Sequence, residues 1–250
     1  MPTANCSIVI PCYNEASRLK QDEFRRYLAA SPQVSLVFVN DGSTDHTLEI
    51  LESLKAGMPA QIDVLDKKVN AGKGEAVRSG LLRAIQSGAP YVGFWDADLA
   101  TPLNAIGDLL GVLLSQPEVN IVLGSRVRLL GRNIERRAAR HYLGRIFATC
   151  VSLVLDLPVY DTQCGAKLFR VTPEIQQVFE EPFSSRWIFD VELLARYVTL
   201  NGLTSSRSIY EFPLYCWRDV PGSRLRSRDF LRAARELANI RRRYFRSKRQ

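Results

Sequence analysis

The first half of the chain alternates short apolar runs with longer stretches of helical period. Residues 6–11, 34–40, 62–66, 91–95 and 119–124 are rich in Val, Ile and aromatic residues and carry few polar positions, the pattern of strands covered on both faces. Between them, 17–30, 44–55, 73–86 and 102–114 have the spacing of amphipathic helices. Strand–helix alternation of this kind predicts an α/β fold with a mostly parallel central sheet and helices on both faces. The second half is less regular. Residues 133–157 begin basic and amphipathic and then turn apolar, 167–169 read as a short strand, and 187–200 are helical by period. Residues 228–246 predict a last helix with Leu231, Ala234, Leu237, Ala238 and Phe245 on one side and arginines on the other. Amphipathic helices are therefore expected in the C-terminal half.

Sheets of this type bind ligands beyond the carboxyl ends of their strands. Four strand ends here are polar or glycine-rich: Tyr13-Asn14-Glu15, Asp41-Gly42-Ser43, Asp96-Ala97-Asp98 and Ser125-Arg126. One shared site is expected there.

Charge refines this picture. The net charge of +8 is uneven. From Arg224 onward eleven basic and two acidic residues give +9, leaving 23 basic against 24 acidic residues, −1, for the rest. A basic end favours an anionic surface, phospholipid before nucleic acid. Nucleic acid is not expected as a partner, since only Tyr244 and Phe245 stand among those arginines to stack on bases. The longest apolar stretch, residues 146–155, is about half of a bilayer span, and the N-terminus enters a strand pattern directly, without the signature of a signal sequence. Five cysteines without ligand spacing read as reduced thiols of a cytoplasmic protein. Two histidines make a His-based zinc site unexpected.

The chemistry-bearing residues follow the predicted strands. Asp96 and Asp98, one residue apart on a turn, suit a hard divalent cation, Mg²⁺ or Mn²⁺, shared with substrate phosphates; alternatively they cap the helix that follows Thr101-Pro102. Asp41 can accept from a base N–H or a ribose hydroxyl, and one of Ser43, Thr44 and Asp45 is expected to cap the next helix. Tyr13 can stack on a base and Glu15 can bind a ribose. Asn70-Ala71-Gly72-Lys73-Gly74 places a lysine at a helix start, where phosphate is favoured, though without the full phosphate-loop spacing.

The order of these motifs resembles glycosyltransferase family 2, an inverting family of GT-A fold. Pro-x-Tyr-Asn-Glu (11–15), Asp-Gly-Ser-Thr-Asp (41–45), Asn-x-Gly-Lys-Gly (70–74) and Asp-Ala-Asp (96–98) occur in sequence. Gly124-Ser125-Arg126, the string 161–169 (DTQCGAKLF) and the string 187–194 (WIFDVELL) are similar to the dolichyl-phosphate β-glucosyltransferase branch. The resemblance covers roughly residues 6–224. It implies a GT-A domain over 1–225, with a nucleotide-sugar half (1–126) and an acceptor half (127–225), followed by a basic helix at 226–250. Pro11, Tyr13, Glu15 and Asp41 would hold the nucleoside, and Lys73 would sit near the donor. Asp96 would contact the donor, and Asp98 would ligate the metal. Arg126 would meet the acceptor phosphate or the diphosphate. Asp161, Gln163, Asp190 and Glu192 would shape the sugar and acceptor end, and Ser223 and Arg224 would contact phosphate. The implied reaction moves a hexose, glucose from UDP-glucose, onto a polyprenyl or dolichyl phosphate at the cytoplasmic face of a membrane. The basic segments at 132–155 and 228–246 are expected either to lie in that interface or to pack their stripes on the body. A saccharide hydroxyl is the alternative acceptor, with Asp190 as its base.

Overall fold

A computed structural model describes residues 6–135, 138–220 and 227–245. Strands β1 (Cys6–Cys12), β2 (Val34–Asp41), β3 (Ile62–Lys67), β4 (Tyr91–Trp95) and β5 (Ile121–Ser125) alternate with helices α1 (Gln21–Ala30), α2 (Thr47–Gly57), α3 (Lys73–Gln86) and α4 (Ala105–Ser115). The second half adds β6 (Asn133–Glu135), α5 (Ala138–Leu155), β7 (Ala166–Arg170), α6 (Pro173–Glu180), α7 (Phe189–Asn201), the short α8 (Ser205–Ser208), β8 (Ile209–Pro213), β9 (Cys216–Arg218) and α9 (Ser227–Phe245). The main sheet has seven strands in the order β3-β2-β1-β4-β7-β5-β8. Only β7 runs antiparallel to its neighbours, so the sheet is mostly parallel, as the apolar runs predict.

Alternation within each strand builds the two faces. Ile8, Ile10, Leu36 and Phe38 point to one side, where Phe24 and Leu28 of α1, Leu51 and Leu54 of α2, and Ile106 and Leu109 of α4 cover them. Val9, Val37 and Val39 point to the other side, beneath α3, α6 and α7. All these positions are buried, which at about 25 cal/mol per Å² makes this burial the main force holding the layers together.

Several elements depart from the sequence reading. α1 begins at Gln21 and not at 17, because Arg18 and Leu19 N–H groups turn back onto Glu15 O. α2 begins at Thr47, after Asp45 accepts the Thr47 N–H at 3.0 Å and so closes the preceding turn. β6, β8, β9 and α6 carry no strong pattern. β8 is an edge strand with a glutamate at its centre, and Glu211 is there for a reason: its carboxylate accepts the N–H groups of Tyr160 and Asp161, each at 2.7 Å. The stripe expected on α9 is also corrected. Ala233, Leu237 and Ile240 are buried, whereas Ala234 and Ala238 face solvent. α9 packs on α7 and α5, so its apolar side belongs to the protein core and not to a membrane interface. Arg235, Arg241, Arg242 and Arg243 line its outer face.

Candidate active site

The carboxyl ends of β1 and β2 form one laced ledge. Asn14 N–H donates to Ser43 Oγ (3.0 Å), Thr44 N–H to Asn14 Oδ1 (2.8 Å), and Glu15 N–H to Thr47 Oγ1 (2.8 Å). Asp41 extends the lacing to α3: its two oxygens accept the N–H groups of Ala71 (3.0 Å) and Gly72 (2.8 Å). Gly42 holds φ +66° against this loop, and a Cβ there would lie 2.6 Å from Asn70 N. Asp41 thereby fixes the helix start that carries Lys73. Pro11 lies at the end of β1 and is half-buried, and Tyr13 is 40% exposed on the ledge. Glu15 is paired with Arg18 at 2.5 Å through one oxygen. Its other oxygen is buried and has no hydrogen-bond partner among the described residues.

Beside the ledge, a cavity of about 380 Å³ opens between the ends of β4 and β5, the start of α7 and one face of α5. It brings together Lys73, Asp96, Asp98, Arg126, Asp161, Gln163 and Asp190. The Lys73 ammonium meets Asp96 Oδ1 at 2.5 Å. Burial by itself would lower its pKa, but Asp96, Asp190 and Asp98 outweigh that and raise it. Asp98 accepts Ala100 N–H at 3.0 Å, while α4 starts only at Ala105. The acid pair therefore closes a local turn and caps no helix. Burial, and then the charge of Asp96, push the Asp98 carboxyl above its ordinary value. Glu15 is raised in the same way, by burial first, with Asp98 contributing.

This excess of negative oxygen chemistry fits a hard divalent cation. With Lys73 on Asp96, Asp98 is the carboxylate left to hold it. No group of three His, Cys, Asp or Glu side chains converges among the described residues. A cation here would thus depend on ligand phosphates to complete its shell.

The opposite wall is basic and aromatic. Arg126 grips Asp161 with both arms of its guanidinium, Nε–Oδ2 at 2.6 Å and Nη2–Oδ1 at 2.7 Å. Burial opposes the Arg126 charge, but Asp161 more than compensates and raises its pKa. The same Asp161 accepts the N–H groups of Arg126 and Gln163, and Gln163 Nε2 is buried without a partner among the described residues. Asp190 sits in the first turn of α7, 2.6 Å from Lys167 Nζ. Sequence reasoning gave no role to Tyr160, Arg186, Trp187 and Trp217, which also line the cavity. Arg145, noted from sequence only as part of a basic segment, stacks on Tyr160 at 3.6 Å to the ring centroid. Trp187 opens the string 187–194, but nothing in the sequence places these four residues on one wall, because they come from the loop after α5, the loop before α7 and β9.

Glu192 is a correction. It is fully buried and does not line the cavity. Its oxygens accept Ser184 N–H (3.1 Å), Ser185 N–H (2.7 Å), Arg196 Nη2 (2.9 Å) and Tyr244 O–H (2.9 Å). It braces the loop before α7 and ties α7 to α9. Ser223 and Arg224 lie outside the described residues.

Solved structures define the class first. Glucosyl-3-phosphoglycerate synthase of Mycobacterium tuberculosis, solved with Mn²⁺, UDP and glucosyl-3-phosphoglycerate, shares the fold at a TM-score of 0.65 and 19% identity, over 95% of this chain and 78% of that one. The mannosyltransferase PcManGT of Pyrobaculum calidifontis, solved with GDP-Man and Mn²⁺, shares it at 0.64 and 16%, over 95% and 63%. The fold is GT-A, the fold of sugar-transferring enzymes. Within it, this chain belongs to glycosyl transferase family 2, which matches residues 7–175, and it is a glycosyltransferase. It is similar to dolichyl-phosphate beta-glucosyltransferases of Trichomonas vaginalis (32% identity over 248 residues, 94% of this chain and 70% of the relative) and Drosophila melanogaster (35% over 239 residues, 90% and 70%). That of Saccharomyces cerevisiae is 30% identical over 259 residues, covering 95% of this chain and 74% of the relative.

Proposed function

We propose that the chain transfers glucose, with inversion, from UDP-glucose to a polyprenyl or dolichyl phosphate at the cytoplasmic face of a membrane. The observation that carries this reading is the arrangement of the cavity: an Asp96–Asp98–Lys73 cluster on one wall faces a basic, aromatic wall on the other. The names of the similar enzymes supply the acceptor class.

The ledge formed by Pro11, Tyr13, Glu15 and Asp41 holds the nucleoside, with the unpartnered Glu15 oxygen available to a ribose hydroxyl. Lys73 and the N-terminus of α3 face the diphosphate. Asp96 contacts the donor, and Asp98 holds Mg²⁺ or Mn²⁺ together with the donor phosphates. When bound, that cation offsets the charge that grows on the departing diphosphate. Arg126, held by Asp161, and Arg145, stacked on Tyr160, place cationic edges on the acceptor side, and Gln163 offers an amide donor. A phosphate acceptor is already anionic and needs no base to become a nucleophile. The contribution of these side chains is positioning and charge stabilisation. The outer side of α5 supports a lipid-bound acceptor: Ile146 (64% exposed), Cys150 and Leu153 (79% exposed) lie on it, and its inner side lines the cavity. No helix among the described residues is long and apolar enough to cross a bilayer.

Transfer from UDP-glucose to dolichyl phosphate, measured with and without Mn²⁺, tests the reading. Asp98→Ala is expected to lose metal-stimulated turnover by about a hundredfold or more. Full metal-stimulated turnover in this variant would overturn the assignment. Transfer to free saccharide hydroxyls but not to the lipid phosphate would overturn the acceptor.

A further inference from the structure

We infer that Lys167 is a positioning residue that fixes Asp190 as the hydrogen-bond acceptor for hydroxyls of the donor hexose. This rests on the nucleotide-sugar reading above. Lys167 lies in β7, between β4 and β5, and has 0% of its surface exposed. Burying an ammonium there is costly unless it is fully matched. A methionine could equally fill the space over Phe94, whose ring centroid lies 5.1 Å from Nζ. The cation is instead used at two points: it donates to Cys164 O at 2.6 Å and lies 2.6 Å from Asp190 Oδ1.

Those two contacts join parts of the site that are distant in sequence. Cys164 O belongs to the segment against which Asp96 packs, since Asp96 N–H donates to Gly165 O at 3.0 Å. Asp190 belongs to the start of α7. Lys167 thus holds the Asp190 carboxylate at a set distance from the Asp96–Asp98 turn. Both sides line one cavity with Lys73, which pairs with Asp96 at 2.5 Å. A hexose whose diphosphate sits at Lys73 then lies within reach of Asp190.

Lys167 Nζ meets the buried oxygen of Asp190, Oδ1, so the part of the carboxylate that lines the cavity is left for a donor there, and sugar hydroxyls are strong donors to a carboxylate.

The test compares binding of UDP and of UDP-glucose in the wild type, Asp190→Asn, Lys167→Met and the charge-neutral double variant Lys167→Met/Asp190→Asn. The double variant keeps the test open if the single lysine variant does not fold. UDP affinity is expected to change less than about twofold throughout. The advantage of UDP-glucose over UDP is expected to fall at least about tenfold in each variant that folds, with no further loss in the double. Normal UDP-glucose binding by Asp190→Asn with turnover lost would assign a base and overturn the inference. So would Lys167→Met with the full UDP-glucose advantage. A wild-type protein that binds neither nucleotide would overturn the donor reading, and this inference with it.

Discussion

At the residue scale, the site depends on a glycine that no motif explains alone. A Cβ built on Gly165 would lie 1.8 Å from Asp96 Oδ2, so the carboxylate can hold its position beside Lys73 only because residue 165 has no side chain. Gly165→Ala is expected to displace Asp96 and cost about 1–3 kcal/mol of stability. Nucleotide-sugar binding should drop in parallel, read by calorimetric titration. A variant that binds UDP-glucose like the wild type would show that Asp96 can move without loss. The acids at 96 and 98 were legible in the sequence because polar residues interrupt a buried strand there. Asp190 and Glu192 were legible as acids but not as different. At about 100° per residue they project about 200° apart on α7, which sends one to the cavity and the other into the core. Arg186 and Trp217 left no local signal and Trp187 stood only as the start of the 187–194 string, since only the folded chain brings them to one wall.

At the scale of elements, α9 is an internal strut. Glu236 accepts Ser185 O–H at 2.5 Å, with Trp187 and Ile188 N–H nearby at 3.2 and 3.3 Å. Glu192 reaches back to Tyr244. The helix thus holds the loop that carries Arg186 and Trp187 into the cavity. The stripe of α9 was misread because alanines are tolerated on either side of a helix. Ala234 and Ala238 set the expected phase, and Ala233, Leu237 and Ile240 set the real one. Burial by itself would raise the Glu192 pKa, but the N–H groups of Ser185 and Ser184 and the Arg196 pairing bring it below the ordinary 4.5. A depressed carboxylate stabilises the fold above its unfolded value, and that contribution is lost as pH falls through the folded value. Glu192→Gln is therefore expected to cost about 3 kcal/mol or more at pH 7 by urea unfolding. The gap to wild type should narrow once pH drops below 4.5. An equal gap at both pH values would mean that shape, and not charge, is what Glu192 contributes.

At the scale of the whole molecule, the two readings of the basic segments come apart. The sequence offered 132–155 and 228–246 as basic amphipathic pieces that either lie in an interface or pack on the body, the first favouring the interface, because period alone cannot say which side of a helix another element covers. The fold covers the apolar side of α9 and leaves Ile146, Cys150 and Leu153 of α5 facing outward. Their spacing of four and three residues makes one stripe, and Leu129 and Leu130 add exposed apolar side chains in the segment before β6. Arg145 lies on the same helix but lines the cavity. An isoprenoid phosphate held at the cavity would then have its chain beside an apolar stripe, with the arginines of α9 contributing attraction to anionic headgroups. Ile146→Asp/Leu153→Asp should leave the unfolding free energy within about half a kcal/mol of wild type, as both positions are exposed. The same variant should lose flotation with anionic liposomes and turnover on long-chain dolichyl phosphate, while keeping turnover on a short, water-soluble isoprenyl phosphate. Loss on both acceptors alike would place the defect in the cavity, and unchanged flotation would remove α5 from the membrane-facing side.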